Sequence, residues 1–233
     1  MRQIVLDTET TGLDPAQGHR VIEIGALEIL NRRITGATYH VYLNPERDID
    51  AGALSVHGLS REFLSDKPRF IDVAPEFLEF VRDAELIIHN APFDLGFLNT
   101  ELARLDDSER SGPMSRYCGV LDTLKLAKKL HPGQKNNLDA LCRRYFVDNA
   151  GRSFHGALLD AQLLAEVYLA MTRGQETLGI DISQSTRSMD AVLLRKSAAP
   201  GQLKVLRASE AELALHTAYL AGLVKEAGDS PTW

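Results

Sequence analysis

The sequence predicts an α/β domain built on a mixed sheet, followed by a linker and a short C-terminal tail. Three observations lead there. Strand-like and helix-like stretches alternate up to about residue 173. The first three strand-like stretches are joined by short segments, which favour antiparallel neighbours over crossovers. Beyond Arg173 the composition shifts to Gly, Gln, Ser, Thr and Pro with little apolar periodicity.

The elements follow in order. Residues 2–7 (RQIVLD), 20–30 (RVIEIGALEIL) and 38–43 (TYHVYL) read as strands. Residues 75–82 (PEFLEFVR) read as a helix with proline in its first turn. Residues 85–89 (ELIIH) read as a buried strand, followed by a helix over about 93–105. Residues 118–122 (CGVLD) form the last expected strand, and Asp122 can cap the helix TLKLAKKL after it. Residues 137–145 and 157–172 close the domain as helices. Residues 174–202 read as a flexible linker. In the tail, 203–207 (LKVLR) reads as a strand. Ser209 with Glu212 forms a capping box opening an amphipathic helix, with Leu213, Leu220, Leu223 and Val224 among its apolar positions. A tail this short buries no core of its own and is expected to dock on something.

Composition bounds the function. The 233 residues are 44% hydrophobic and 25% charged, as in ordinary globular chains. No apolar run is long enough to cross a membrane, and MRQIVLDTET lacks the pattern of a signal peptide. The two cysteines, Cys118 and Cys142, have no metal-ligand spacing. A reducing cytoplasm is therefore expected. The net charge of −6 argues against gripping a long duplex, which takes many Lys and Arg. A small footprint on one nucleic-acid end remains compatible if bound cations supply positive charge.

The chemistry lies in acidic residues where an ordinary fold would not place them. Asp7 and Glu9 share one face of the first strand, about 6–7 Å apart, at its C-terminal end. Neighbouring carboxylates repel unless a cation lies between them, and hard divalent cations take oxygen ligands of this kind. Asp160 shares a helix face with Leu163, Leu164, Val167 and Met171, the face that should be buried. Asp94 precedes Phe97, Leu98, Leu102 and Leu105 in the same way, near a helix N-terminus that favours negative charge. Each acid has an ordinary alternative: a solvated strand end for Asp7 and Glu9, a helix-start charge for Asp94, an arginine partner for Asp160. A shared metal site accounts for all of them together. His155, five residues before Asp160, has the chemistry of a general base. Glu23 is also acidic on an apolar strand, where a solvated face is the simpler reading.

DTETTG at 7–12, HNAPFDLGFLN at 89–99 and HGALLDA at 155–161 resemble, in order and spacing, the three motifs of the DEDDh exonucleases. The resemblance covers residues 1 to about 173. It implies an RNase H-like fold with a central five-stranded sheet flanked by helices. It further implies that Asp7, Glu9, Asp94 and Asp160 hold two divalent ions, Mg²⁺ or Mn²⁺, with His155 as general base. The reaction implied is 3′→5′ removal of nucleotides as 5′-monophosphates. By similarity, Thr8, Leu13, His57 and Phe93 are candidates for gripping the terminal nucleotide. The alternatives are a plain loop histidine for His57 and a core aromatic for Phe93. Asn90 and Asn137 also sit in family-like contexts, with helix capping the simpler role.

The block 138–173 resembles the epsilon-subunit family of bacterial DNA polymerase III, whose members proofread DNA within the replisome. In that family the tail binds the polymerase alpha subunit. Residues 175–180 (QETLGI) resemble a sliding-clamp-binding peptide, with Gln175, Leu178 and Ile180 as anchors. A linker matching by coincidence is the alternative. A small accessory subunit is a further candidate partner. Two competing readings are a stand-alone exonuclease acting on RNA or short oligonucleotides, which the tail disfavours, and a scaffold with an idle nuclease, which the complete acid set disfavours.

Overall fold

The computed structural model describes residues 1–105, 112–151, 154–173 and 208–227. The chain divides into two compact units, Met1–Thr177 and Leu178–Trp233. The first is a five-stranded sheet in the order β3-β2-β1-β4-β5. Strands β1 (Arg2–Thr10), β2 (Val21–Leu30) and β3 (Arg33–Tyr42) pair antiparallel, while β4 (Glu85–Ile88) and β5 (Gly119–Asp122) run parallel to β1. The short connections among the first three strands gave the expected antiparallel pairing. The later strands are joined through α3 (Phe70–Val81) and α4 (Ala91–Ala103), long enough for parallel crossovers.

Side chains on β1 alternate between two cores. Ile4 and Leu6 face one cluster with Phe77 of α3 and Leu98 of α4. Val5 faces the other, with Leu141 of α6 (Leu138–Tyr145) and Leu164 of α7 (Ala157–Met171). The same alternation carries Asp7 and Glu9 towards the α7 side and Thr8 towards α4. All three lie just past the hydrophobic stretch of the central strand.

One close approach sets where α7 begins. Gly25 on β2 is the register partner of Asp7. A Cβ added at Gly25 would lie 2.1 Å from the backbone nitrogen of Leu158 and 2.2 Å from the carbonyl carbon of Ala157. Only a glycine lets the first turn of α7 lie directly on the sheet beside Asp7.

Several boundaries differ from expectation. Helix α3 starts at Phe70, not at Pro75, which lies inside it. The Arg69 backbone N–H donates to Asp72 Oδ2 (2.9 Å) and starts the helix there. The interior proline forfeits a helix bond, a local cost of about 3 kcal/mol. Burial of Phe70, Val73, Ala74, Phe77 and Leu78 on one side offsets it. Strand β3 begins at Arg33 and α4 at Ala91, each earlier than expected. Two short helices, α1 (Ala51–His57) and α2 (Arg61–Leu64), were not expected at all. Helices α5 (Thr123–Leu130), α6 and α7 lie where expected, and Asp122 caps α5 by accepting from the N–H groups of Leu124 (2.9 Å) and Lys125 (3.2 Å).

In the second unit, α8 spans Glu210–Ala227. The capping box is present: Glu212 N–H donates to Ser209 Oγ (3.3 Å), and Ser209 N–H donates to Glu212 Oε2 (2.7 Å). The apolar positions do not form the single stripe expected. At about 100° per residue, Leu215 and Tyr219 lie on the side opposite Leu213, and all three are exposed. The expected strand at 203–207 lies outside the described residues. No helix among the described residues is long and apolar enough to cross a membrane.

Gly25→Ala is expected to lower unfolding free energy by about 1–3 kcal/mol, measured by urea denaturation. Wild-type stability in this variant would show that α7 can retreat from the sheet without cost.

Candidate active site

A cleft of about 250 Å³ opens at the C-terminal end of β1. Asp7, Glu9, Asp94, His155 and Asp160 all line it, together with Thr8, His89, Asn90, Phe93, Leu138 and Leu164. The structure thus gathers all five residues singled out on the α/β core, from β1, α4, the lead-in to α7, and α7. Asp94 and Asp160 are both 3% exposed, and each occupies the first turn of its helix, where the helix dipole favours an anion.

Each side chain is held from behind. Asp94 Oδ1 accepts from Thr8 N–H (3.1 Å) and from the Thr8 hydroxyl (2.7 Å), tying α4 to β1. His155 donates its backbone N–H to Val56 O (3.1 Å), so α1 supports the histidine loop. His155 Nδ1 lies 3.2 Å from Asp160 Oδ2. Burial pushes the Asp94 carboxyl up to about 7, opposed by the two bonds from Thr8 and reinforced by the charge of Asp122.

Glu9, His155 and Asp160 each offer one ligand atom, and these atoms lie within 4.8 Å of one another. The carboxylate oxygens of Glu9 and Asp160 suit a hard divalent cation, with the His155 imidazole beside them. A cation would also relieve the burial of Asp94. The donor set therefore fits a divalent metal.

A second cavity of about 460 Å³ adjoins the cleft and shares Thr8, Glu9 and Phe93 with it. Thr8, Leu13, His57 and Phe93, the four candidates for nucleotide contact, all line it, with Gly12, Asp50 and Val56 among their neighbours. His57 is not a loop histidine: it ends α1 and is 5% exposed. Its Nδ1 accepts from Leu59 N–H (3.0 Å). Its Nε2 lies buried near the backbone of Thr10 without a hydrogen bond of ordinary geometry. Burial lowers its pKa, so the neutral ring is favoured. Phe93 packs partly against the core, with Phe97 at 5.1 Å between ring centroids, and also faces both cavities.

Two further sequence readings need correction. Glu23 is not solvated: it is 2% exposed, and its Oε1 lies 2.8 Å from His40 Nε2. Register pairs Glu23 with Tyr42, which places His40 as its diagonal same-face neighbour. Asn90 holds the N-cap position of α4 in a left-handed conformation (φ 67°) with no side-chain cap bond, whereas Asn137 does cap α6 by accepting from Ala140 N–H (3.0 Å). His89, not singled out before, lines the cleft and lies 3.0 Å from Thr123 Oγ1. Its place at the end of an apolar strand was the available signal. Gln175, Leu178 and Ile180 lie outside the described residues.

An acid-lined cleft at the end of the central strand of this sheet, with an adjoining cavity, suits metal-assisted cleavage of a phosphodiester. The model of the exonuclease family RNase_T matches residues 4–168. The epsilon subunit of DNA polymerase III from Salmonella typhimurium (strain LT2) is 50% identical over 239 residues, covering 100% of this chain and 97% of that protein. The epsilon subunit from Escherichia coli (strain K12) is 48% identical over the same spans, and that from Rickettsia felis is 47% identical over 97% of this chain and 99% of its own. The chain belongs to the exonuclease family and, within it, to the DNA polymerase III subunit epsilon family. It is a 3′→5′ exonuclease of the proofreading type, and divalent-metal dependence is general in its family. Among solved structures, exonuclease X bound to 5′-overhanging duplex DNA superposes with a TM-score of 0.58 at 24% identity, covering 74% of this chain and 92% of that one. Escherichia coli exonuclease I with a dA16 oligonucleotide gives 0.64 at 17% identity, covering 75% and 41%. These two support the fold.

The raised Asp94 carboxyl carries a signed expectation. Its folded value exceeds the ordinary 3.8, so its contribution to stability is fully present below about pH 4 and is lost as pH rises through about 7. With chelator present, Asp94→Asn should therefore gain on the wild type across that window and level off above it. Urea midpoints measured from pH 4 to 8 check this; a pH-independent difference would contradict it.

Proposed function

We propose that the chain removes mispaired 3′-terminal nucleotides from DNA as 5′-monophosphates, with Asp7, Glu9, Asp94 and Asp160 holding two divalent cations, Mg²⁺ or Mn²⁺, and His155 acting as general base. The observation that carries this reading is the single cleft lined by all five side chains. When bound, such cations supply Lewis acidity and the positive charge that meets charge developing on the phosphate and the leaving oxygen. The carboxylates fix their positions. Thr8 steadies Asp94 through two bonds to one oxygen. With Nδ1 donating to Asp160, the Nε2 of His155 is the nitrogen that takes a proton from the attacking water. The backbone bond to Val56 holds the ring at the cleft mouth.

The adjoining cavity receives the terminal nucleoside. Leu13, Val56 and Phe93 offer apolar surface for the base, and Thr8 and the ring of His57 line the remaining wall beside the sugar. A mispaired end supplies the unstacked nucleotide at lower cost than a paired one.

The partners are the polymerase alpha subunit, bound through the tail 203–233, and the sliding clamp, bound through Gln175, Leu178 and Ile180, with the linker 174–202 between the nuclease domain (1–173) and the tail. A small accessory subunit completes the set, and the complex works in the cytoplasm. The exposed Leu213, Leu215 and Tyr219 of α8 support a docking helix. The full-length match to epsilon subunits supports the assembly.

With a 3′-mismatched DNA primer and Mg²⁺ or Mn²⁺, mononucleotides should be released, and Asp7→Ala should slow release by about a thousandfold or more. No release by the wild type with any metal would sink the reading; much faster degradation of RNA would favour a stand-alone ribonuclease. Deleting 203–233 is expected to spare nuclease activity and abolish polymerase binding. Gln175→Ala with Leu178→Ala is expected to weaken clamp binding. Co-purification of the truncated chain with the polymerase, or unchanged clamp affinity in a titration, would refute the respective assignment.

A further inference from the structure

We infer that the α5–α6 segment is a track for the phosphate backbone of single-stranded DNA just upstream of the terminal nucleotide, an inference that rests on the nuclease reading above. Residues 123–145 contain Lys125, Lys128, Lys129, Lys135, Arg143 and Arg144 against one carboxylate, Asp139, in a chain of net charge −6. All but the half-buried Arg144 are exposed. Arg144 is spent on structure, donating to Asn136 Oδ1 (3.0 Å) and to Lys135 O (2.8 Å).

The segment begins twice at the cleft. Thr123, the first residue of α5, donates its hydroxyl to Ile88 O (3.2 Å) and lies 3.0 Å from Nδ1 of the cleft residue His89. Leu138, the first residue of α6, lines the cleft itself. The two helices meet again at their far ends, where His131 Nε2 lies 2.6 Å from the Tyr145 hydroxyl. An eight-residue helix is about 12 Å long, so Lys128 and Lys129 lie within two turns of the cleft wall.

The linings argue which way the strand leaves. The cavity lined by Leu13 and His57 shares only Thr8, Glu9 and Phe93 with the cleft, and His89 and Leu138 belong to the cleft alone. A terminal nucleoside in that cavity puts the scissile phosphate over the acids. The next nucleotide then passes over His89 and Leu138, onto the cationic segment. Phe146, 95% exposed and in a left-handed conformation (φ 58°), caps α6 three residues after Arg143. An exposed aromatic set among cations is the arrangement that stacks bases of single strands.

The test uses the full chain with Mn²⁺ and two substrates: a deoxydinucleotide, too short to reach the track, and a single-stranded 12-mer. For Lys128→Ala/Lys129→Ala/Arg143→Ala, KM for the 12-mer should rise about tenfold at low salt. The slope of log KM against log salt should fall by about 2, near 0.7 per lost phosphate contact. Turnover of the dinucleotide should stay within about twofold of wild type, and the Lys→Arg version should restore the 12-mer KM. An unchanged 12-mer KM and salt slope would overturn the track and leave the patch to an acidic protein partner. Equal losses on both substrates would also overturn it, by showing a general defect. Failure of the wild type to cleave either substrate would instead strike the nuclease reading.

Discussion

Crowding of like charge at the end of β1 is the constraint around which this domain is arranged. Two carboxylates leave the central strand on one face, and two more arrive from the first turns of α4 and α7, both nearly fully buried. Such a group is costly to ionise together without a cation. The surrounding structure spends much of its specificity on holding the acids in place anyway. Gly25 admits α7 to the sheet, Thr8 ties Asp94 to β1, and α1 braces the His155 loop. The helix dipoles of α4 and α7 favour the buried anions, while burial keeps the Asp94 carboxyl raised.

Much of this was legible in the sequence because it follows from short periods. Alternation along RQIVLDTE fixes which β1 residues meet which core, and helical spacing aims Asp94 and Asp160 inward. The antiparallel start of the sheet follows from short connections. What was missed depended on contacts between distant segments. Helix α1 is seven residues long and shows too little periodicity to announce itself, so His57 looked like a loop residue. Glu23 looked solvated because its partner His40 is fixed by β2–β3 register rather than by local sequence. Pro75 suggested a helix start because proline favours that position. The Arg69–Asp72 bond and a full buried face outweighed the suggestion.

The acidic net charge of the chain conceals a division of labour. Four carboxylates line the cleft where cations are proposed to sit, and six Lys and Arg lie on α5, the return loop and α6, beside the cleft wall. Averaged over the chain, this looks like a poor nucleic-acid binder. Resolved by position, it fits the proposed weak, local hold on one strand end. Weak local grip suits an enzyme held at its substrate by a polymerase, since tethering raises the effective concentration of the end without demanding affinity from the nuclease itself.

The central claim is that the four convergent carboxylates exist to bind divalent metal. Its most direct test is a count of Mn²⁺ bound per chain, by titration of exhaustively chelated protein in the presence of a deoxynucleoside 5′-monophosphate. Saturation at two ions, with binding lost when Asp160 is replaced by Ala, is the outcome predicted. Wild-type protein that binds no Mn²⁺ at millimolar concentration, yet still shortens DNA, would contradict it.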